Sequence, residues 1–367
     1  MVNYMYDCFR HCLYMKIASI VGARPNFVKL APISKELRKS FTEVIIHTGQ
    51  HYDYELSRIF FDELGIPTPN YHLNVGSGTH GFQTGEMVKK IESVLIKEKP
   101  DLVLIFGDTN TALAGALAAI KLHVKIAHVE AGLRSHDKKM PEEINRILVD
   151  HCADVLFCPT KTAVDNLKQE NVIEGVYLTG DVMVDSLNHS INIAISKSRI
   201  LKELNLNSKD YSLATVHRAE NTDYYERLNY IVGAFCEIEN IVFPCHPRTR
   251  VQLKQFGLWD RLKENVIIIE PVGYLDMLLL EKNAKMVLTD SGGVQKEAYI
   301  LGVPCITLRE NTEWLETVED GWNLLTTGVT KENIIKAVID FKPKHNRSDV
   351  FGKGNASKNI AHIIGVR

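Results

Sequence analysis

The chain has 367 residues, 45% hydrophobic and 24% charged, too many for one ordinary core and too evenly mixed for disorder, collagen or a coiled coil. At about 150 residues per domain, two domains are expected. With 43 Lys+Arg against 45 Asp+Glu, a formal charge of −2 and a mean hydropathy of −0.09, neither nucleic acid nor an anionic membrane is an expected partner; no apolar run reaches the ~18 residues that span a bilayer.

Residues 1–15 read as an N-terminal extension, with Met15 as the natural start. Asp7, Arg10 and His11 interrupt the apolar stretch that a signal peptide requires. The seven cysteines, at 8, 12, 152, 158, 236, 245 and 305, form an odd set without CxxC or zinc spacing. Buried thiols in a reducing cytoplasm fit, with no metal and no cofactor expected.

Short β-branched runs then alternate with helical patterns. Strands are expected at 16–21, 44–48, 102–106, 125–129, 155–158 and 176–178, with helices at 88–97, 111–122, 142–152 and 160–170. The second half repeats the rhythm. Its strands fall at 212–215, 241–244, 266–269, 286–288 and 305–307, and its helices at 224–237, 275–282, 294–302 and 331–341. This alternation predicts an α/β protein of two doubly wound, Rossmann-like domains facing a cleft. Residues 16–182 form the first and 183–355 the second, and the polar stretch within 181–210 reads as a hinge.

Doubly wound sheets bind ligands outside the carboxyl ends of their strands, and the unusual residues fall there. After the first strand come Gly22-Ala23-Arg24-Pro25-Asn26 and a helix carrying Lys29. The turn suits an anion at a helix N-terminus, although GxGxxG and the Walker loop are both absent. An ordinary βα turn with solvated cations would read the same way.

Strand 102–106 runs into Asp108, and strand 125–129 into Glu130. Two carboxylates at neighbouring strand ends suit proton transfer; the bland alternative makes Asp108 a helix cap. Glu142 and Arg146 open the next helix, where capping accounts for one glutamate.

In the second half, His217-Arg218 and His246-Pro247-Arg248 each place a histidine with an arginine at a strand end, as a diphosphate pocket would. Ser291-Gly292-Gly293 then forms a nest of N–H donors for phosphate. Glu297 is spaced to accept both hydroxyls of a ribose. A nucleotide sugar offers a diphosphate, a ribose and a reacting group together.

From about Lys16 to the C-terminus the ordered motifs GARPNFVKLAP, GDTNTALAGALAA, HVEAGLRS, MPEEINR, HRAEN, TDSGGVQKEA and FGKGNAS resemble the non-hydrolysing UDP-N-acetylglucosamine 2-epimerases. That family has the two-domain fold of the B-type glycosyltransferases. The resemblance implies that Asp108, Glu130, Glu142 and His217 are catalytic. It places Arg24 and Lys29 near the diphosphate, with Ser291, Gly292, Gly293 and Glu297 on the UDP; Arg146, Arg218, His246 and Arg248 are the further expected substrate-binding residues. Also implied are a homodimer, a UDP-sugar as partner, and a last helix, 356–367, crossing back to the first domain.

The chemistry implied is elimination. UDP leaves C1 as a base removes the C2 proton, giving a 2-acetamidoglucal, and UDP adds back after a proton returns from the opposite face. Two faces require two proton-transfer groups.

The chain departs from many bacterial members in two places. Thr312-Glu313-Trp314-Leu315-Glu316 stands for Thr-Glu-Arg-Pro-Glu, and His246-Pro247-Arg248-Thr249-Arg250 for His-x-Asn-Pro. Both variants resemble the subgroup acting on UDP-2,3-diacetamido-2,3-dideoxyglucuronate, which is the alternative substrate. Gln50-His51 resembles the segment that binds an activating second UDP-sugar, with Asp53 in place of the usual glutamine. A hydrolysing epimerase would only need water admitted to the glycal, and a glycosyltransferase of this fold would need an acceptor groove.

Overall fold

The computed structural model describes residues 15–50, 61 and 64–366, apart from the Arg24 side chain. The extension up to Tyr14, together with His51 and Asp53, lies outside the described residues. The first sheet contains β1 (Lys16–Val21), β2 (Thr42–His47), β3 (Tyr71–His72), β4 (Leu102–Phe106), β5 (Lys125–Val129), β6 (Val155–Cys158) and β7 (Val176–Leu178). All its pairs are parallel, in the order β3-β2-β1-β4-β5-β6-β7. The second sheet contains β8 (Ser212–Thr215), β9 (Ile241–Pro244), β10 (Ile267–Ile269), β11 (Met286–Thr289), β12 (Cys305–Thr307) and β13 (Asn323–Leu325). It too is all parallel, in the order β10-β9-β8-β11-β12-β13.

Both sheets are doubly wound, with the strand order reversing between β1 and β4 in one and between β8 and β11 in the other. β4, LVLIF, is buried along its whole length, as a strand covered on both faces must be. The helix Asn110–Lys121 covers it with a face of alanines. Gly115 lies so close that a Cβ would come 3.0 Å from Ile105 and 3.1 Å from Ile20.

The chain divides after Asn188, inside the helix Val182–Lys197, and again before Val350. The residues from Val350 onward belong with the first unit. The Asp185 carboxylate accepts from the N–H groups of Ala356 and Ser357, both at 3.1 Å, and so caps the last helix, Ala356–Gly365. Phe351 O accepts from Asp181 N at 2.8 Å.

The two-residue β3 and the three-residue β13 are too short to show periodicity, and sequence reading does not find them. It also misses the helices Pro247–Gln255 and Trp259–Asn265. The division after Asn188 falls within 181–210, the segment read as a hinge, and the polar end of that segment is bonded to its own unit. Lys209 N donates to Asn283 O at 2.7 Å, and its ammonium donates to Lys282 O and Ala284 O, both at 2.8 Å. Among the described residues, no helix is long and apolar enough to cross a membrane.

Candidate active site

In the first unit the switch point is built around Asn26. Its side-chain oxygen accepts from Gly22 N at 3.2 Å and Ala23 N at 3.1 Å, and its amide donates to Phe106 O at 2.9 Å. One buried side chain therefore joins the turn after β1 to the end of β4. Gly22 permits this closeness, since a Cβ there would overlap the Thr48 and Thr111 hydroxyls. Gln50 accepts from Thr111 N at 3.0 Å and from Thr111 Oγ1 at 2.8 Å, so its side chain is fixed on the start of the helix Asn110–Lys121. The backbone of Arg24 opens the helix Arg24–Leu37, which also carries Lys29.

Lys29 is buried and forms an ion pair with Glu130, whose side chain is equally buried. Gly107 lies beneath them at φ 63°. A Cβ at Gly107 would come 2.9 Å from Lys29 Nζ and 3.2 Å from Glu130 Oε2, so glycine satisfies both the turn and the space. Glu130 has φ 72°, a left-handed conformation costing a non-glycine residue about 1–2 kcal/mol. Such strain is kept where the surroundings enforce it, and here Phe157 O accepts from both Glu130 N and Ala131 N at 3.1 Å.

Asp108 is not the helix cap: Thr109 is, accepting from Ala112 N. The Asp108 carboxylate is paired with Arg146, and Asn145 donates to Asp108 O at 2.8 Å. Arg146 is held from behind by Glu143 at 2.8 Å. Glu142 is exposed on the first turn of the helix Pro141–Cys152, whereas its neighbour Glu143 is buried. Glu143 accepts from Ser135 N, Ser135 Oγ and His136 N, each at 2.9 Å. These bonds and Arg146 outweigh burial and hold its pKa below the usual carboxylate value.

Sequence reasoning missed the group beneath both acids. His128, in mid-β5 and fully buried, contacts Asp150 through Nδ1 at 2.7 Å and Gly107 O through Nε2 at 2.9 Å. Asp150 also accepts from Gly132 N at 3.1 Å and Arg134 at 2.7 Å. Arg134 continues to Glu170 at 2.6 and 2.8 Å. This chain fixes the loops that carry Asp108 and Glu130 to one another.

In the second unit the turns after β8 and β11 meet on Asp290. This fully buried carboxylate accepts from His217 N at 3.1 Å, Arg218 N at 3.0 Å and Asn221 Nδ2 at 3.0 Å. His217 Nδ1 lies 3.4 Å from it, and the His246 ring is 5.8 Å from the His217 ring. Burial above all, and then His246, Arg218 and Arg248, hold His217 below the usual imidazole value against the pull of Asp290. The neutral imidazole is thus favoured, and an anion beside it would oppose that shift. Arg248 is exposed and takes both oxygens of Asp223, at 2.9 and 2.7 Å. Ser291 starts the helix Gly292–Leu301, with Gly293 exposed and Glu297 half-buried one turn on.

Gly292 is enclosed: a Cβ would overlap the Glu313 carboxylate, which itself pairs with Arg309 at 3.2 Å. Gly292→Ala is therefore expected to displace Glu313 from the helix start; with this turn read as the UDP site, affinity for UDP should fall at least tenfold, read by calorimetry. An unchanged affinity would show that the nest does not hold the nucleotide.

The sequence family described as UDP-N-acetylglucosamine 2-epimerase matches residues 35–365. The chain belongs to that family. It is 60% identical over 355 residues to a Methanococcus maripaludis UDP-N-acetylglucosamine 2-epimerase homolog, covering 95% of this chain and 99% of the relative. A second relative, the Pseudomonas aeruginosa UDP-2,3-diacetamido-2,3-dideoxy-D-glucuronate 2-epimerase, is 48% identical, with 95% and 99% covered. Among solved structures, the Methanocaldococcus jannaschii UDP-GlcNAc 2-epimerase in complex with UDP-GlcNAc and UDP matches with a TM-score of 0.88. It is 51% identical, over 96% of this chain and 100% of that one.

Within this 2-epimerase the departure at Trp314 has a compensating partner. Trp314 is buried, and the buried Lys296 ammonium sits 4.0 Å from its ring centroid, a cation on an aromatic face. The indole thus arrives with a positive charge of its own. Sequence spacing shows neither residue's partner, because they lie on separate elements.

Proposed function

We propose that the chain interconverts UDP-N-acetylglucosamine and UDP-N-acetylmannosamine by the elimination route. The observation carrying this reading is the pair of carboxylates on adjacent strand ends, Asp108 after β4 and Glu130 after β5, each matched to its own cation. One takes the C2 proton as the C1–O bond to UDP breaks and C1=C2 forms; the other returns a proton to the opposite face. Glu142 and His217 complete the proton-transfer set. Lys29, Arg24 and Arg146 serve the substrate, as do Arg218, His246 and Arg248. The Ser291-Gly292-Gly293 nest and Glu297 take UDP, because helix-start N–H groups stabilise the charge that grows on a leaving diphosphate. Gln50 and His51 form the activator segment of this reading. A homodimer, a cytoplasmic location and supply of the product to polysaccharide assembly belong to it as well.

The diacetamidoglucuronate alternative needs a cation for an additional carboxylate. Arg248 and Arg250, the arginines that would welcome it, pair with the exposed carboxylates of Asp223 and, at 2.6 Å, Glu270, and the C2 exchange experiment, run with that substrate as well, separates the two readings. Incubation with UDP-N-acetylglucosamine in D₂O, followed by NMR at C2, tests the proposal. Deuterium at C2 together with the manno epimer is expected. Free sugar would indicate the hydrolysing reaction, and no exchange at saturating substrate would overturn the reading.

A further inference from the structure

A second concave site lies in the unit His189–Asp349, at the opposite end of its sheet from His217 and Ser291. It is a cavity of about 670 Å³, within the size range of small-molecule sites. Lys209, Lys285, Pro304 and Trp322 line it, and they stand just before β8, β11, β12 and β13. The cavity therefore opens at the amino ends of four neighbouring strands. β11 alone, from Lys285 to Asp290, separates it from the helix-start nest by roughly 13–17 Å.

Its walls are one-sided in charge. Lys209, Lys285, Lys344 and His345 line it and no carboxylate does, in a chain whose formal charge is −2. Burial first, and then the nearby Lys282, lower the Lys209 pKa, so an anion beside it would favour its charged form. The outer wall is fixed in place. Trp322 Nε1 donates to His345 O at 3.1 Å, and Asp320 holds the chain just beyond by accepting from Ser348 N at 3.0 Å. The half-buried indole gives a flat apolar side to an otherwise cationic bowl.

We propose that this cavity binds a small polyphosphate anion. Three lysines lining one concave site match the closely spaced charges of a polyphosphate, and bonds to the backbone fix Lys209 and Trp322 in its wall. Lys285 and Lys344 are exposed, so reversing their charge leaves the core intact.

The test is calorimetric titration of the full chain with inorganic pyrophosphate, in wild type and in Lys285→Glu/Lys344→Glu. Pyrophosphate held anywhere else is common to both proteins, so the difference reports this cavity alone. The expected result is a binding event, separate from any at the helix-start nest, that weakens at least tenfold in the double variant, also weakens with added salt, and is retained in Lys285→Arg/Lys344→Arg. UDP affinity and the thermal midpoint should not move. Identical isotherms in wild type and the charge-reversed protein, or no binding at millimolar pyrophosphate, would overturn the proposal.

Discussion

Asp108→Asn is expected to lose C2 deuterium exchange by about 10²–10⁴-fold, the range contributed by a positioned proton-transfer group, while UDP still binds. The substitution keeps the shape of the side chain and its capacity to accept from Arg146, but removes its ability to take a proton. The geometry around it should survive. Arg146 is also held by Glu143 at 2.8 Å, and the Asp108 carbonyl by Asn145 at 2.8 Å; neither bond uses the Asp108 side chain. The groups assigned to UDP lie on Ser291, Gly292, Gly293 and Glu297, remote in sequence and on the other sheet. Calorimetry with UDP and NMR exchange in D₂O therefore separate binding from proton transfer. Wild-type exchange in the variant would remove Asp108 from the mechanism, whereas loss of both exchange and UDP binding with a lowered thermal midpoint would report misfolding.

Sequence made the strand ends readable because fully covered parallel strands are short apolar runs, and a charged residue directly after one is conspicuous. Asp108, Glu130 and His217 stand out in this way, Ser291 follows the charged Asp290, and the structure puts each at the carboxyl end of its strand. The groups that hold them in place were hidden. His128 interrupts the apolar strand KIAHV at a position that looks like any core-facing residue, and its partner Asp150 is 22 residues away. One signal was available in the helix Pro141–Cys152. Glu143, Arg146 and Asp150 recur at i, i+3 and i+7, a polar stripe on the face that also buries Val149. Charged residues on a buried helical face must be paired, which would have separated Glu143, the buried support, from the exposed Glu142. The cation–aromatic pair of Lys296 and Trp314 gave no comparable warning, since it forms between a helix and a loop whose approach only the fold determines.

That buried stripe also leads to the largest expected stability effect, in Asp150→Asn. Asp150 is almost completely buried, and its carboxylate faces His128, Arg134 and Gly132 N together. The amide can still accept one or two of these bonds but cannot offset the charge of the buried Arg134, which keeps Glu170 as its carboxylate partner and Leu133 O as a backbone acceptor. Breaking a buried pair by removing one partner costs about 3–5 kcal/mol, and the remaining Glu170 contact favours the lower end. A loss of about 3 kcal/mol corresponds to a thermal midpoint lowered by roughly 6–12 °C for a unit of this size. The pH dependence distinguishes a charge effect from a packing effect. Although burial alone would raise it, His128 and Arg134 bring the Asp150 pKa below its ordinary value. A depressed folded-state pKa contributes stability that is fully present above the unfolded value of about 3.9 and is lost as pH falls through the folded value. The gap between wild type and variant should therefore be constant near neutrality and narrow below about pH 4. Because His128 also donates to Gly107 O beneath Lys29 and Glu130, the variant should lower kcat more than it raises KM for the UDP-sugar. Unfolding curves from pH 3 to 8 alongside steady-state rates make the comparison. A gap that persists unchanged to the acid end would mean that Asp150 acts through shape, and an unaltered kcat would mean that its network supports the fold without positioning the acids.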